Sequence, residues 1–391
     1  MVLNMNILIV TPAKPGSRHG NRNTATRWAR LLRASGHQVD IVIDAVEATG
    51  AHALMIALHA RRSAESIALW KSKPDRPLIL ALTGTDLYRD IRTDAAAQES
   101  MRLADAMIVL QAEGLNELTP ALRAKTRVIH QSVRAVQRVD PPSTYCLITV
   151  IGHLRDEKDP LRAAHALAHL PATSRIRVVQ LGGAMDDALA REARDIAARE
   201  ARAIAARETQ ESAAPAARDI AAREARNIST REARGPSALG ARYRWPGELA
   251  HGDAMRWLAR SHAMVISSRM EGGAHVVSEA IACGVPVLAS DIPGNRGLLG
   301  SDYPGYYPLA DEAALARLML RVENDKRFVL ALERGVAKRR HLADAEAERS
   351  ALDALVRSAG SAGSIGSIGS VRPPPSHQSK KPLDPLQNLR S

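Results

Sequence analysis

The stretch that decides the fold runs Glu271-Gly-Gly-Ala-His-Val-Val-Ser-Glu279 and continues Ala-Ile-Ala-Cys-Gly-Val-Pro-Val-Leu-Ala-Ser290. Apolar runs of strand length at 263–268 and 285–289 flank a segment whose apolar residues recur at helical spacing. Gly284 predicts the end of that helix, because glycine readily adopts the left-handed conformation there. The pattern therefore predicts a strand, a glycine loop, a helix and a second strand, which is a unit of an open α/β sheet.

Two carboxylates frame this predicted helix start. At about 1.5 Å of rise per residue, Glu279 falls one to two turns inside the helix, while Glu271 stays in the loop before it. Gly272 and Gly273 let backbone N–H groups approach a ligand closely, and a helix N-terminus favours an anion. The glutamates are thus spaced to contact different parts of one long phosphorylated ligand, although glutamates flanking a helix start are also common on solvated surfaces.

Length and composition indicate a chain of two domains with additional segments. The chain has 391 residues and 45% hydrophobic residues, enough for two cores. Cys146 and Cys283 lie in apolar surroundings and are predicted to be buried, with no disulfide and no zinc site. No apolar run reaches membrane-spanning length, and no targeting segment precedes the first strand, so we expect a cytoplasmic protein without a membrane partner.

The charge balance is strongly basic, with a formal net charge of +12. No helix-turn-helix, zinc finger or aromatic RNA-binding platform accompanies this charge, so we do not expect a nucleic-acid partner. Between residues 14 and 33 there are six lysines and arginines and no acid: Lys14, Arg18, Arg22, Arg27, Arg30 and Arg33. A non-catalytic protein that binds phosphoanions or nucleic acid through this segment is the alternative from another functional class.

Strands and helices alternate along most of the chain. Strands are predicted at 6–11, 38–43, 53–58, 77–82, 106–110 and 126–130, and the pattern restarts at 145–151 after a proline-rich break at 139–143. This predicts an α/β protein of two Rossmann-like, doubly wound domains facing across a cleft. We assign 1–140 to an N-terminal acceptor domain and 141–358 to a C-terminal donor domain, with ligands at the carboxyl ends of the strands.

Two segments depart from this alternation. Residues 194–202 recur verbatim at 218–226 in a stretch rich in alanine, arginine and glutamate, which predicts a solvent-exposed helical insertion over 187–235 of the second domain. From residue 359 onward, a repeated Gly-Ser-Ile pattern and three consecutive prolines predict a disordered tail over 359–391.

In each domain, a polar loop follows the first strand. The loop 12–22 is rich in glycine, proline and basic residues, and we expect Gly16 in it to contact the donor. In the loop Gly152-His-Leu-Arg-Asp-Glu-Lys-Asp-Pro160, Arg155 and Lys158 are able to bind a diphosphate, Arg as a fork and Lys as a point charge. Simple solvation of the loop explains these two side chains equally well.

The combination of Gly-x-Leu-x-x-x-Lys-Asp after a strand with Glu-Gly-Gly-x-x-x-x-x-Glu-Ala-x-Ala-x-Gly-x-Pro-Val resembles the GT-B nucleotide-sugar glycosyltransferases of family 4. The resemblance implies that Lys158 holds the donor diphosphate, Glu271 the donor sugar and Glu279 the ribose. His153 stands where the family commonly has arginine, so either His153 or Arg155 supplies the second positive contact. The resemblance also assigns His59 to a catalytic position, whereas Thr83 replaces a second family histidine.

A closer resemblance extends over residues 11–22, 57–63, 82–90, 150–155 and 267–273, which are similar to the selenosugar synthases of selenoneine biosynthesis. It implies transfer from a UDP-sugar, typically UDP-N-acetylglucosamine, to selenophosphate, giving a 1-selenosugar. It also implies a functional partnership with other enzymes of that pathway. The alternative is a family 4 enzyme that glycosylates an ordinary sugar, lipid or small alcohol.

Selenophosphate is a small polyanion, so its pocket should be basic and rich in donors. The expected catalytic residues are His59, Lys158 and Glu271, and the expected donor site holds Gly16, His153, Arg155, Lys158, Gly272, Gly273 and Glu279. The expected acceptor residues, in loops after N-terminal strands, are Arg18, His19, Arg22, Arg61, Thr85, Asp86 and Arg89. No Asp-x-Asp occurs at a strand end, so we expect neither a metal nor a cofactor besides the two substrates.

Overall fold

The structure, a computed structural model, describes residues 4–17, 20–47, 51–73, 75–211 and 241–365. Within these residues the strands form two six-stranded sheets with the orders β2-β1-β3-β4-β5-β6 and β12-β11-β10-β7-β8-β9. Neighbouring strands pair in parallel, as in the register Leu8 to Met55 between β1 and β3 and Thr149 to Met264 between β7 and β10. The predicted pair of doubly wound α/β domains is confirmed.

The first sheet is built from short buried strands joined by helices. Its strands are β1 Asn6–Val10, β2 Gln38–Val42, β3 Leu54–Leu58, β4 Leu78–Leu82, β5 Ala106–Val109 and β6 Thr126–Val128. Its helices are α1 Gly20–Ala34, α2 Ala64–Lys71, α3 Ala95–Leu103 and α4 Pro120–Ala124. The central strands β3 and β4 are buried along their whole length, because helices cover both faces of the sheet.

The second sheet repeats this plan. Its strands are β7 Cys146–Ile151, β8 Ile176–Leu181, β9 Tyr243–Arg244, β10 Ala263–Ile266, β11 Val287–Ser290 and β12 Tyr306–Tyr307. The helices that follow are α5 Arg162–Ala166, α6 Asp187–Glu211, α7 His251–Ala259, α8 His275–Cys283, α9 Pro293–Leu299, α10 Glu312–Asn324, α11 Lys326–Lys338 and α12 Ala345–Ile365. The predicted helix between the two glutamates is α8, and Gly284 ends it with φ 73°.

The last helix returns to the first domain. Leu352, Val356 and Ala359 of α12 are buried in the same cluster as Trp28 of α1. The predicted boundary placed residues up to 358 in the second domain. The apolar face of α12 instead covers the first sheet. The helix also continues to Ile365, through the first residues of the predicted disordered tail. The remainder of that tail, 366–391, lies outside the described residues.

The predicted insertion begins as the helix α6. Ala190, Ala193 and Ile196 on its first turns are buried in the second core, since small alanine side chains let the helix approach the sheet closely. One face of this part of the insertion is therefore buried, in contrast to the predicted solvent-exposed helix. Residues 212–235 of the insertion lie outside the described residues. Among the helices that are described, none is both long and apolar enough to cross a bilayer.

Candidate active site

A cleft of about 540 Å³ lies between the two domains, at the carboxyl ends of their strands. Loops that follow β1, β3 and β4 line one wall, and loops that follow β7 and β10 line the other, together with the first residues of α8. Parallel sheets place their ligand sites at this edge, because the connecting loops there are free to carry polar groups. The cleft is therefore the candidate active site.

Two predicted residues of the second domain form an ion pair in this cleft. Lys158 Nζ donates a hydrogen bond to Glu271 Oε1. The hydroxyl of Ser268 donates to the same oxygen at 2.6 Å. The Glu271 side chain is only 9% exposed, so these partners supply the polar contacts that a buried carboxylate needs.

The backbone around Lys158 is anchored to the loop that carries Glu271. Lys158 ends a short 3-10 turn, and Asp159 follows in the left-handed conformation with φ 43°. Ser267, at the end of β10, donates from its hydroxyl to the carbonyl of Asp159 at 2.7 Å. Because Ser267 lies four residues before Glu271, the lysine and the glutamate are positioned by one connected piece of backbone.

His153 and Arg155 lie on the same wall as Lys158. The Gly183 N–H donates to His153 Nδ1 at 3.1 Å, which leaves the proton of the neutral ring on Nε2. The Nε of Arg155 is buried and has no hydrogen-bond partner among the described residues. Both candidates for the second positive contact are thus in the cleft.

The glycine pair after Glu271 packs against the opposite domain. A Cβ on Gly272 would lie 2.4 Å from the carbonyl carbon of Thr83, and a Cβ on Gly273 would lie 2.5 Å from Cβ of Leu110. Thr83 and Leu110 belong to loops of the first domain. The absence of side chains at Gly272 and Gly273 is therefore needed for close approach of the two domains, and of this pair only Gly273 lines the cleft.

His59 lies on the first-domain wall, directly after β3. It is 3% exposed and holds a positive φ of 77°, a conformation that a non-glycine residue adopts at some cost. The Arg62 N–H donates to its Nδ1 at 3.3 Å, so the neutral ring carries its proton on Nε2 and donates to Thr85 Oγ1 at 3.1 Å. Burial lowers the pKa of His59. The ring is therefore a neutral hydrogen-bond donor on the Nε2 side.

Asp86 does not reach the cleft, although it was predicted to bind the acceptor. Its side chain is fully buried. The Ala60 N–H donates to one carboxylate oxygen at 3.0 Å, and the N–H groups of Thr83 and Gly84 donate to the other at 2.9 and 2.8 Å. Asp86 therefore ties together the loops after β3 and β4, and so fixes the wall that carries His59 and Thr85.

The other predicted acceptor residues are dispersed. Arg61 pairs with Asp94 at 3.0 Å, and Arg89 pairs with Asp90 at 2.9 Å, both on the exposed surface beside the cleft. Arg22 is not among the residues that line it, and neither is the exposed Gly16, which was predicted to contact the donor. Arg18 and His19 lie outside the described residues. Of the predicted acceptor set, Thr85 alone among the described residues lines the cleft.

Glu279 is buried just behind the cleft wall. Its side chain is 8% exposed, and its Oε1 lies 3.6 Å from Nε2 of both His275 and His251. Burial raises the pKa of this carboxyl to about 7, an effect that the nearby Arg27 partly opposes. The carboxyl is thus partly protonated near neutral pH and is able to donate as well as accept a hydrogen bond.

The raised pKa of Glu279 predicts a pH-dependent stability. Since its pKa rises from 4.5 to about 7 in the fold, the folded state favours the protonated carboxyl, and the stability it contributes is lost as the pH rises from about 4.5 to 7. We expect Glu279→Gln to exceed the wild type in unfolding free energy by up to about 3 kcal/mol near pH 8 and by less than about 1 kcal/mol near pH 5. Urea unfolding at both pH values measures this, and an equal difference at both would contradict it.

Several cleft residues were missed as site residues by the sequence analysis. Arg27 was noted only as one of six basic residues, yet it lines the cleft together with Lys14 and Arg62. The signal was the spacing of Gly20, Thr24 and Arg27, which places them on one face of α1. Among the described residues, those that line the first-domain wall include the cations Lys14, Arg27 and Arg62 and no carboxylate.

Within the described residues, no three histidine, cysteine, aspartate or glutamate side chains come close enough to hold a metal ion. Glu271, one of the carboxylates that line the cleft, is paired with Lys158.

Comparisons with known proteins identify the architecture. Residues 237–341 match the family described as glycosyl transferases group 1. Sucrose-phosphate synthase from Thermosynechococcus elongatus is 16% identical with a TM-score of 0.66, over 92% of this chain and 100% of its own. Anabaena HepE, solved with UDP and glucose, is 14% identical with a TM-score of 0.62, over 92% and 100% of the two chains. No curated protein sequence matches the chain.

A trehalose 6-phosphate synthase from Burkholderia multivorans is also similar, with 14% identity and a TM-score of 0.56, over 82% of this chain and 73% of its own. At these identities the likeness is one of fold, and the chain has the GT-B fold, as predicted. The family match covers β10, the Glu271 loop and α8. It supports a glycosyltransferase activity for the domain that carries them.

Proposed function

We propose that the protein transfers a sugar from a UDP-sugar, typically UDP-N-acetylglucosamine, to selenophosphate. The selenium lone pair attacks the anomeric carbon, the bond from that carbon to the diphosphate oxygen breaks, and UDP leaves with the bonding electrons. The product is a glycosyl selenophosphate, in which selenium links the anomeric carbon to the phosphoryl group. Hydrolysis of its Se–P bond by water releases phosphate and gives the 1-selenosugar.

The second-domain wall supports a UDP-sugar donor. Lys158, His153 and Arg155 place cationic or donor groups beside the N-terminus of α8, where a diphosphate gains from both charge and backbone N–H groups. Glu271 lies at the cleft beside them, and Glu279 lies one turn deeper. HepE, a structure of the same fold, was solved with UDP-glucose. In the proposed complex the diphosphate becomes a partner of Lys158, and the donor sugar hydroxyls become partners of Glu271.

The observation that carries the acceptor proposal is the charge of the first-domain wall. It presents Lys14, Arg27 and Arg62 and no carboxylate among the described residues. A neutral sugar or alcohol is usually bound by carboxylates as well as amides that accept from its hydroxyls, whereas a small oxyanion needs cations and N–H donors. The amides of Asn21 and Asn23 on this wall are able to donate N–H as well as accept. The wall therefore favours an anionic acceptor.

The state of His59 also fits such an acceptor. Its Nδ1 is occupied by the Arg62 N–H, and its Nε2 carries the proton, so the ring has no free lone pair with which to deprotonate an alcohol. A selenophosphate is already a deprotonated nucleophile and needs no general base. Catalysis then rests on holding two anions together and on stabilising the departing UDP.

Mass spectrometry of the reaction products tests this proposal. The purified protein is incubated with UDP-N-acetylglucosamine and, in separate reactions, with selenophosphate, a sugar phosphate or a simple alcohol. We expect a product with the isotope pattern of selenium, formed together with UDP, in the first reaction. Turnover of oxygen acceptors without any selenium-containing product would favour the family 4 alternative and contradict the proposal.

A further inference from the structure

A buried carboxylate on the last helix holds an arginine at the cleft. Glu348 of α12 has a fully buried side chain, and its Oε1 accepts from Arg27 Nε at 3.2 Å and from Trp28 Nε1 at 2.8 Å. Its other oxygen accepts from the N–H of Ser132 at 2.8 Å and from the Ser132 hydroxyl. Four donors thus fix this carboxylate, so that Arg27 is positioned by a group that cannot move away.

Arg27 keeps a hydrogen-bonding group unused. Its side chain is 9% exposed and lines the cleft. Its Nη1 donates to His275 Nδ1 on the opposite wall at 3.4 Å, while its Nη2 is buried with no hydrogen-bond partner among the described residues. A buried, charged donor without a partner carries a free-energy penalty that a bound anion removes.

The surroundings of Arg27 suit an anion. It lies two turns into α1, whose N-terminal residues Gly20 and Thr24 share its face and also line the cleft. The first turn of α1 carries no acidic residue, so the partial positive charge of the helix start is not neutralised there. Lys14 and Arg62 lie on the same wall.

We propose that Arg27, positioned by Glu348, is the principal binding residue for the phosphate group of the acceptor. This rests on the proposed function for the identity of the acceptor, but the anion class follows from the wall itself. The site is a small-oxyanion subsite on the first-domain wall, and it adjoins the donor side of the cleft through the contact of Arg27 with His275. The last helix thereby becomes part of the active site, because Glu348 connects it to the acceptor.

Binding of inorganic phosphate to the full-length protein tests the subsite without turnover. Removing a charged hydrogen-bond donor should weaken phosphate binding by about ten- to hundred-fold in Arg27→Met, while UDP binding changes less than about two-fold. Arg30→Met, at an exposed position on the same helix, is the matched control and should leave both affinities unchanged. Isothermal titration calorimetry measures both ligands.

Two results would overturn the assignment. They are unchanged phosphate affinity in folded Arg27→Met, and a loss of UDP affinity as large as the loss for phosphate, which would move Arg27 to the donor site. If Arg27→Met does not fold, Arg27→Lys keeps the charge but lacks the second donor arm. It should then bind phosphate about five- to ten-fold more weakly than the wild type, and equal affinity would overturn the proposal. Phosphate binding that depends on Arg27, without any selenosugar product, would sink the proposed function and leave this subsite standing.

The positioning role of Glu348 has its own readout. Glu348→Gln should raise the Kd for phosphate about three- to ten-fold, and it should add no further loss in the Arg27→Met background, because it acts through Arg27. Glu346→Gln, two residues earlier at an exposed pair with Arg349, is the control. Equal, additive losses in both backgrounds would show a general structural effect and contradict the positioning role.

Discussion

Lys158→Ala is expected to lower kcat/KM for the UDP-sugar by about 100- to 1000-fold, the size of effect typical for a group that stabilises charge developing on a leaving group. Two causes act together. The departing diphosphate loses its cation. Among the described residues, the buried carboxylate of Glu271 then keeps only its bond from Ser268, because its ion pair is removed. Steady-state kinetics with varied UDP-sugar measures the effect.

Lys338→Ala is the matched control, because that lysine is 69% exposed and pairs with a surface aspartate. It should retain wild-type kinetics. The stability of a double variant adds a second check: Lys158→Ala with Glu271→Gln should unfold less easily than Lys158→Ala alone, since no unpaired charge remains. A folded Lys158→Ala enzyme with less than about tenfold loss would show that this lysine does not stabilise the leaving group.

Gly272→Ala should have an effect of similar size for a different reason. The added methyl group would lie 2.4 to 2.6 Å from three backbone atoms of Thr83 and Gly84 on the opposite domain. Backbone atoms cannot rotate away from the methyl group, so the domains must separate to admit it. The distance between the two walls of the cleft then increases. Because enzyme rates are sensitive to displacements of about 1 Å, we expect about a 100-fold or greater loss of kcat/KM.

The same substitution at Gly252 provides the comparison. A Cβ there meets only the end of the Arg256 side chain at 3.9 Å, in helix α7. Gly252→Ala should keep full activity and gain slightly in stability, by roughly 0.5 to 1 kcal/mol from helix propensity. Thermal unfolding and kinetics of both variants distinguish a cleft effect from a folding defect, and unimpaired turnover of Gly272→Ala would contradict the importance of domain approach.

The fold was largely predictable from the sequence, because most of its strands are short apolar runs closed by glycine, proline or polar residues. The two-residue strands β9 and β12 are exceptions. The helix between the two glutamates, α8, begins at His275, so Glu279 lies in its second turn as expected. Periodicity is less informative about which surface an amphipathic helix covers. Leu352 and Val356 lie four residues apart on one face of α12, and only the path of the chain shows that this face covers the first sheet.

The candidate site was predictable where side chains lie in the loops that follow strands. His59, His153, Lys158 and Glu271 all reach the cleft for that reason. Asp86 follows a strand equally closely, yet it turns inward because three backbone N–H groups need an acceptor. Arg27 lies seven residues inside a helix and depends on Glu348, which is 321 residues away in the chain. Such a contact between distant segments leaves no local pattern in a single sequence.

The claim that the cleft joins a UDP-sugar to a small anionic acceptor is tested most directly by competition in one reaction. UDP-N-acetylglucosamine is supplied with equal concentrations of selenophosphate and a neutral sugar, and the products are quantified by mass spectrometry. We predict that nearly all the UDP released is matched by selenium-containing product, and that this preference declines in Arg27→Met. Products formed mainly on the neutral sugar by the wild-type protein would contradict the claim.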